Sequence, residues 1–154
     1  MNSKYGFGKQ VDMPFDKAIE RVTQALAAED FGVLTDIDVA ATLKKKLNQK
    51  MPPYRILGAC NPPLAHRALT AEPSIGLLLP CNVVVRQDEA GAVHVEIMDP
   101  NAVLDLVDKP AIAELAREVL QKPDRCRWCP SQREVIVELA REVRQKLERV
   151  LQAV

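Results

Sequence analysis

Ile56-Leu57-Gly58-Ala59-Cys60-Asn61-Pro62-Pro63-Leu64-Ala65-His66 leads through Arg67 and Pro73 into Ile75-Gly76-Leu77-Leu78-Leu79-Pro80-Cys81-Asn82-Val83-Val84-Val85. The fold turns on this stretch. Tyr54 to Cys60 has the length and apolar content of a strand. Asn61 followed by Pro62 marks a helix start, because Asn accepts a hydrogen bond from a free first-turn N–H and proline is tolerated there. That helix carries Leu64, Ala65, Ala68 and Leu69 and ends before Pro73. Ile75 to Val85 reads as a strand buried on both faces or nearly so. Pro80 interrupts it and demands a bulge or an edge position, since proline cannot donate to a ladder.

Outward from this centre, Lys4 to Val11 is a first strand, weakened by Gly6 and Gly8. Ala18, Ile19, Val22, Ala25 and Leu26 recur three and four apart, so Phe15 to about Glu29 is an amphipathic helix. Phe31 to Ile37 alternates as a second strand, with Phe31, Val33, Thr35 and Ile37 on one side. Asp38 caps a short helix holding Val39, Leu43 and Leu47. Its Lys44 to Lys46 run reads as a solvated face, with a phosphate or partner patch as the alternative. Asp88 to Gly91 is a hairpin turn before the alternating strand Val93, Val95, Ile97. Asp99-Pro100 repeats the cap-then-proline pattern and starts a short helix through Leu104. Pro110 opens another, with Ile112, Leu115, Ala116, Val119 and Leu120 buried. From Ser131 a last helix presents Val135, Ile136, Leu139, Val143, Leu147, Val150 and Leu151. Its stripe serves either to pack on the domain or to pair with a second copy in a homodimer.

The 154 residues are enough for one domain with a real core. Lysine plus arginine and aspartate plus glutamate both number 21, so net charge is zero, and aromatics are 4%. A general nucleic-acid binder carries a basic excess and rings to stack bases on, so no nucleic-acid partner is expected. No apolar run approaches the roughly 20 residues that span a bilayer, and the first ten residues lack a signal-peptide core. The expectation is a cytoplasmic protein with no membrane association. Its four cysteines are then free, metal-bound or redox-active rather than a disulfide framework.

Two Cys-Asn dipeptides and a histidine make Cys60, Asn61, His66, Cys81 and Asn82 the candidate site. Cys60 precedes a helix start, where unpaired amides and a partial positive charge favour a thiolate. Cys60 is therefore expected as the reactive thiolate and His66 as its proton partner or a ligand. Cys81 is the resolving thiol or second ligand, and Asn61 and Asn82 supply amide contacts. Such a set can perform thiol redox or sulfur chemistry, the leading expectation. It can also hold zinc or copper. A non-catalytic homo-oligomeric or small-ligand-binding module is the third possibility, and the bland one leaves both cysteines as small buried hydrophobes.

Cys126 and Cys129, spaced for one metal or for each other, stand before the last helix among Arg125, Arg127 and Arg133. They are a redox switch, half a zinc site or a plain loop. Trp128 anchors that loop by packing, and His94 is an outward strand histidine.

Tyr5-Gly6-Phe7, Phe31-Gly32-Val33-Leu34-Thr35, Tyr54 to Pro62, Ala65-His66-Arg67-Ala68-Leu69, Ile75 to Val83 and Met98-Asp99-Pro100 together resemble domain-of-unknown-function family 302, from Tyr5 to about Val107. The resemblance implies an α+β fold of the TATA-binding-protein-like class, with an antiparallel sheet of about five strands and helices packed mainly on one face. It implies no activity, cofactor or partner, and function is not inherited from fold. Residues 1–108 form the core domain on this reading. Residues 109–154 are a helical extension packed on it, added to the family pattern.

Overall fold

Val93, Val95 and Ile97 are buried while His94, Glu96 and Met98 between them are half-buried, the period-two signature of a strand with one face covered. They belong to β5 (Val93–Met98) of an antiparallel five-stranded sheet. The structure is a computed structural model and describes residues 3–102 and 130–154. The other strands are β1 (Gly6–Val11), β2 (Gly32–Asp38), β3 (Tyr54–Cys60) and β4 (Cys81–Gln87), and the order across the sheet is β1-β5-β4-β3-β2. The fold is α+β, as the family resemblance implies.

Helices α1 (Phe15–Ala28) and α4 (Pro130–Ala153) pack on one face of the sheet. Ala18, Val22 and Leu26 of α1 and Leu147 and Val150 of α4 meet Leu57, Val83, Val85, Val95 and Ile97 in one core. Each such side chain contributes about 1.5–3 kcal/mol when taken from water. The apolar stripe that offered a dimer seam is thus largely buried in the chain's own core, although Val135 stays 39% exposed. Arg149 on Glu29 and Lys146 on Asp30 fasten α4 to the end of α1. Asp30 (φ +66°) turns the chain out of α1, and Phe31 N–H bonds back to the Leu26 carbonyl.

Two sequence expectations give way. Ile75 to Val85 is not one strand. Pro73–Leu78 is a 3-10 helix whose start Glu72 caps by accepting the Ser74 N–H, and β4 begins only at Cys81. Leu77 is 89% exposed, so the run is not buried throughout. Proline at N1 and an acidic cap outweigh the apolar content of the following four residues. The Leu79–Pro80 peptide is cis, and Pro80 lies just before the strand rather than within it.

In β2, Phe31, Val33, Thr35 and Ile37 do not share a face. The register slips between Val33, opposite Ala59, and Thr35, opposite Gly58. Leu34 is the extra residue of a bulge, and parity reverses after it. Asp36 then stands opposite the buried Leu57, where Arg55 donates to it through Nε and Nη2, and Ile37 faces Ile56 on the other side. Gly58 permits the crowding: a Cβ there would lie 2.2 Å from Thr35 Oγ1 and 2.7 Å from Pro80 Cγ.

Helix α2 (Val39–Leu47) is capped by Asp38, which accepts the Ala41 N–H, and buries no residue completely. Lys44, Lys45 and Lys46 are exposed on it. Helix α3 (Pro62–Ala71) begins at Asn61. The Asn101 N–H donates to Asp99 Oδ1 where a helix starts at Pro100. The remainder of that helix, the one expected after Pro110, and Arg125, Cys126, Arg127, Trp128 and Cys129 lie outside the described residues. No helix among those described is long and apolar enough to cross a membrane.

Candidate functional site

At one end of the sheet β3 stops at Cys60 and β4 starts at Cys81. Cys81 stands opposite Ala59, so the pleat turns both toward the helix-covered face, and Cys81 is buried there. Cys60 is the last residue of β3 and half-buried. Leu64 and Ala68, four apart on α3, face inward beside them, and Ile75, Leu78 and Leu79 close a second side. Ile136, Leu139, Ala140 and Val143 of α4 form the opposite wall. These elements enclose a cleft of about 80 Å³ that Cys60 and Cys81 line, together with Phe31, Met98 and Pro100.

Asn61 is 5% exposed. Its Oδ1 accepts the Leu64 N–H at 3.2 Å, and its Nδ2 reaches the Glu29 carbonyl at 3.5 Å. Its amide is therefore occupied in capping α3 and tying it to the end of α1. Asn61→Ala is expected to cost about 1–2 kcal/mol in thermal unfolding, and Asn61→Ser, which keeps a capping oxygen, to recover most of it. A serine variant as unstable as the alanine one would show that the cap is not what Asn61 contributes.

His66 does not join the thiols. It lies two residues, about 200° of helix rotation, from the inward Leu64 and is exposed. Asn82 is likewise exposed, because the pleat sends it to the face opposite Cys81, across from Gly58. Of the five expected site residues, the cleft gathers Cys60, Asn61 and Cys81 and leaves His66 and Asn82 outside.

The expected thiolate is not favoured at either sulfur. Burial pushes the Cys60 thiol above its ordinary value. Burial first, and then the charge of Cys60, push Cys81 up to about 11. The positive end of α3 does not reverse this, since Asn61 already takes the Leu64 N–H and the walls are hydrocarbon. Both cysteines are free thiols. Among the described residues no three His, Cys, Asp or Glu side chains come together to hold a metal.

His94 lies on the outward side of β5, between the buried Val93 and Val95, but it is not open to solvent. Its side chain is 12% exposed, its Nε2 lies 2.9 Å from Asp88 Oδ2, and its buried Nδ1 has no hydrogen-bond partner among the described residues. The imidazole holds the Asp88 carboxyl below the usual range.

Sequence reasoning missed the α4 wall and the 3-10 wall. The α4 residues read as packing, and they are packing, with Ile136, Leu139, Ala140 and Val143 also lining the cleft. Glu72-Pro73-Ser74 was the available signal for the 3-10 turn.

A family model described as a domain of unknown function, DUF302, matches residues 7–126. The match extends past Val107, where the sequence resemblance stopped. A solved structure, that of the uncharacterized conserved protein DUF302 from Bacillus stearothermophilus, superposes with a TM-score of 0.75 at 24% identity. The superposition covers 98% of each chain, the last helix included in that span, and the likeness is one of fold. No curated protein matches the chain.

Proposed function

Because this chain belongs to the DUF302 family, whose description assigns no activity, its function has to come from the cleft, and we propose that it is a binding module for a small, uncharged, apolar molecule or group. The lining carries this reading. Apart from the two thiols, Asn61 is the one hydrogen-bonding side chain among the described lining residues, and it is already engaged. A charged ligand would lose its hydration there without compensation, at a cost of several kcal/mol. A neutral one meets carbon and two polarizable S–H groups. Cys60, the more exposed of the two, is where a bound molecule touches sulfur.

Thiolate chemistry ranks behind this reading because both thiols are held protonated and His66 faces away. Zinc ranks behind it because the cleft offers two of the four ligands that a structural site takes.

The size of the cleft selects the probes. An engineered apolar cavity of about 150 Å³ holds benzene, and the present one has about 80 Å³. Xenon and dimethyl sulfide suit it. Methyl NMR titration is expected to show saturable shifts at Leu64, Ile75, Ile136 and Leu139, with Leu26 and Val93 unmoved. Ala140→Leu, which fills the space, should abolish the shifts while keeping the remaining spectrum. Absence of shifts in the native protein, or equal shifts in the filled variant, would remove the proposal.

A further inference from the structure

A larger cleft of about 350 Å³ opens between α2 and the start of β3, away from both cysteines. Its volume lies within the roughly 300–1,000 Å³ of small-molecule sites. Phe15, Met51 and Tyr54 supply its apolar surface, each half-buried. Two of the five Phe and Tyr rings in the chain thus meet at one place. Ala40 and Ala41 on the cleft-facing side of α2 are too small to fill it.

Three cations, Arg55, Lys44 and Lys50, line it against one lining carboxylate, Asp38, with Asp36 and Asp16 also acting on Arg55. Arg55 is held by Asp36 and approaches Asp38 at 3.9 Å, so its charge is met. Asp38 is further committed to the Ala41 N–H. Lys44 and Lys50 also line the cleft, and neither makes an ion pair or a side-chain hydrogen bond among the described residues. Lys44, Lys45 and Lys46 all stand in the last turn of α2, where cations complement its carbonyl end. That role does not account for Lys50, which lies beyond the helix, or for two cations facing one aromatic-walled space.

We propose that this cleft binds a small organic anion with a flat apolar body, the class of an aromatic carboxylate. The ring lies against Phe15 and Tyr54, and the carboxylate is held by Lys44 and Lys50. The site is independent of the apolar cleft at Cys60, which excludes charge.

Benzoate is the probe, with acetate as charge without a ring and benzyl alcohol as a ring without charge. In NMR titrations of the whole chain, benzoate is expected to shift the Phe15 and Tyr54 ring signals saturably. Acetate and benzyl alcohol should each bind at least tenfold more weakly. Lys44→Ala with Lys50→Ala, both at exposed positions, should weaken benzoate at least tenfold without changing the unfolding temperature appreciably. Raising salt should weaken native binding and leave the double variant unaffected. Acetate or benzyl alcohol binding as well as benzoate, unchanged affinity in the double variant, or no saturation at the two rings would each overturn the proposal.

Discussion

At pH 7 to 8 a thiol reagent will label Cys81 roughly 100-fold more slowly than an unhindered cysteine, even before access is considered. The thiolate is the reacting form, and a thiol pushed from 9.0 to about 11 holds about one hundredth of the ordinary thiolate fraction at any pH below both values. Cys60 should fall between Cys81 and a free thiol, because burial raises it as well but less completely. Stability must follow the same difference. The unfolded chain loses the Cys81 proton near pH 9, while the native chain keeps it to about pH 11. Below pH 9 the contribution is fully present, and it declines as pH rises toward 11. Two pH units correspond to about 2–3 kcal/mol. Cys81→Ala should flatten that decline when native and variant proteins are unfolded in urea from pH 8 to 11. A native-minus-variant difference independent of pH would contradict the burial of Cys81. Labelling of Cys60 at pH 7 faster than that of a free cysteine would restore the thiolate reading of the site over the one proposed.

Leu147→Ala is expected to cost about 2–5 kcal/mol, the range for deleting a fully enclosed leucine. Leu147 is 0% exposed and sits in the same core as Val83, Val95 and α1. For a chain of this length the loss corresponds to a fall of about 5–20 °C in melting temperature. Arg149→Ala removes the ion pair with Glu29 from the same helix. Both partners reach solvent there, and such pairs contribute about 0–1 kcal/mol. The contrast decides how α4 is attached. If the two variants melted alike, polar clamps and not the core would hold the helix, and the C-terminal segment would behave as an appendage.

That attachment separates local from non-local information in this chain. Asn61-Pro62 and Asp38 state their helix starts in two or three residues, because capping is a contact between near neighbours, and the structure places α3 and α2 accordingly. The alternation of Val93, Val95 and Ile97 likewise states which side chains turn inward. Ile75 to Leu79 misled because apolar content alone does not distinguish a strand from a short helix; the cap at Glu72 decides it. The β2 bulge was invisible because it exists only against β3: nothing in Val33-Leu34-Thr35 says that Gly58 and Pro80 will crowd it.

The candidate site divides the same way. That Cys60 lies at a strand end and Asn61 caps a helix could be read directly. That His66 points away was available from helix periodicity relative to Leu64, although its place one turn into the helix that Cys60 precedes suggested a common site. The cleft itself was not available, because α4, which starts at Pro130, closes it against α3 and the 3-10 helix, which end by Leu78.

By itself the sequence determined most of the strand and helix positions and the caps, since these follow from contacts within a few residues, while the α+β class was what the family resemblance implied. Tertiary structure alone decided that Cys60 and Cys81 share an apolar wall, that His66 and Asn82 do not, and that burial keeps both sulfurs protonated. Register, bulge and helix docking set those outcomes, and each is a relation between segments that local preference does not encode.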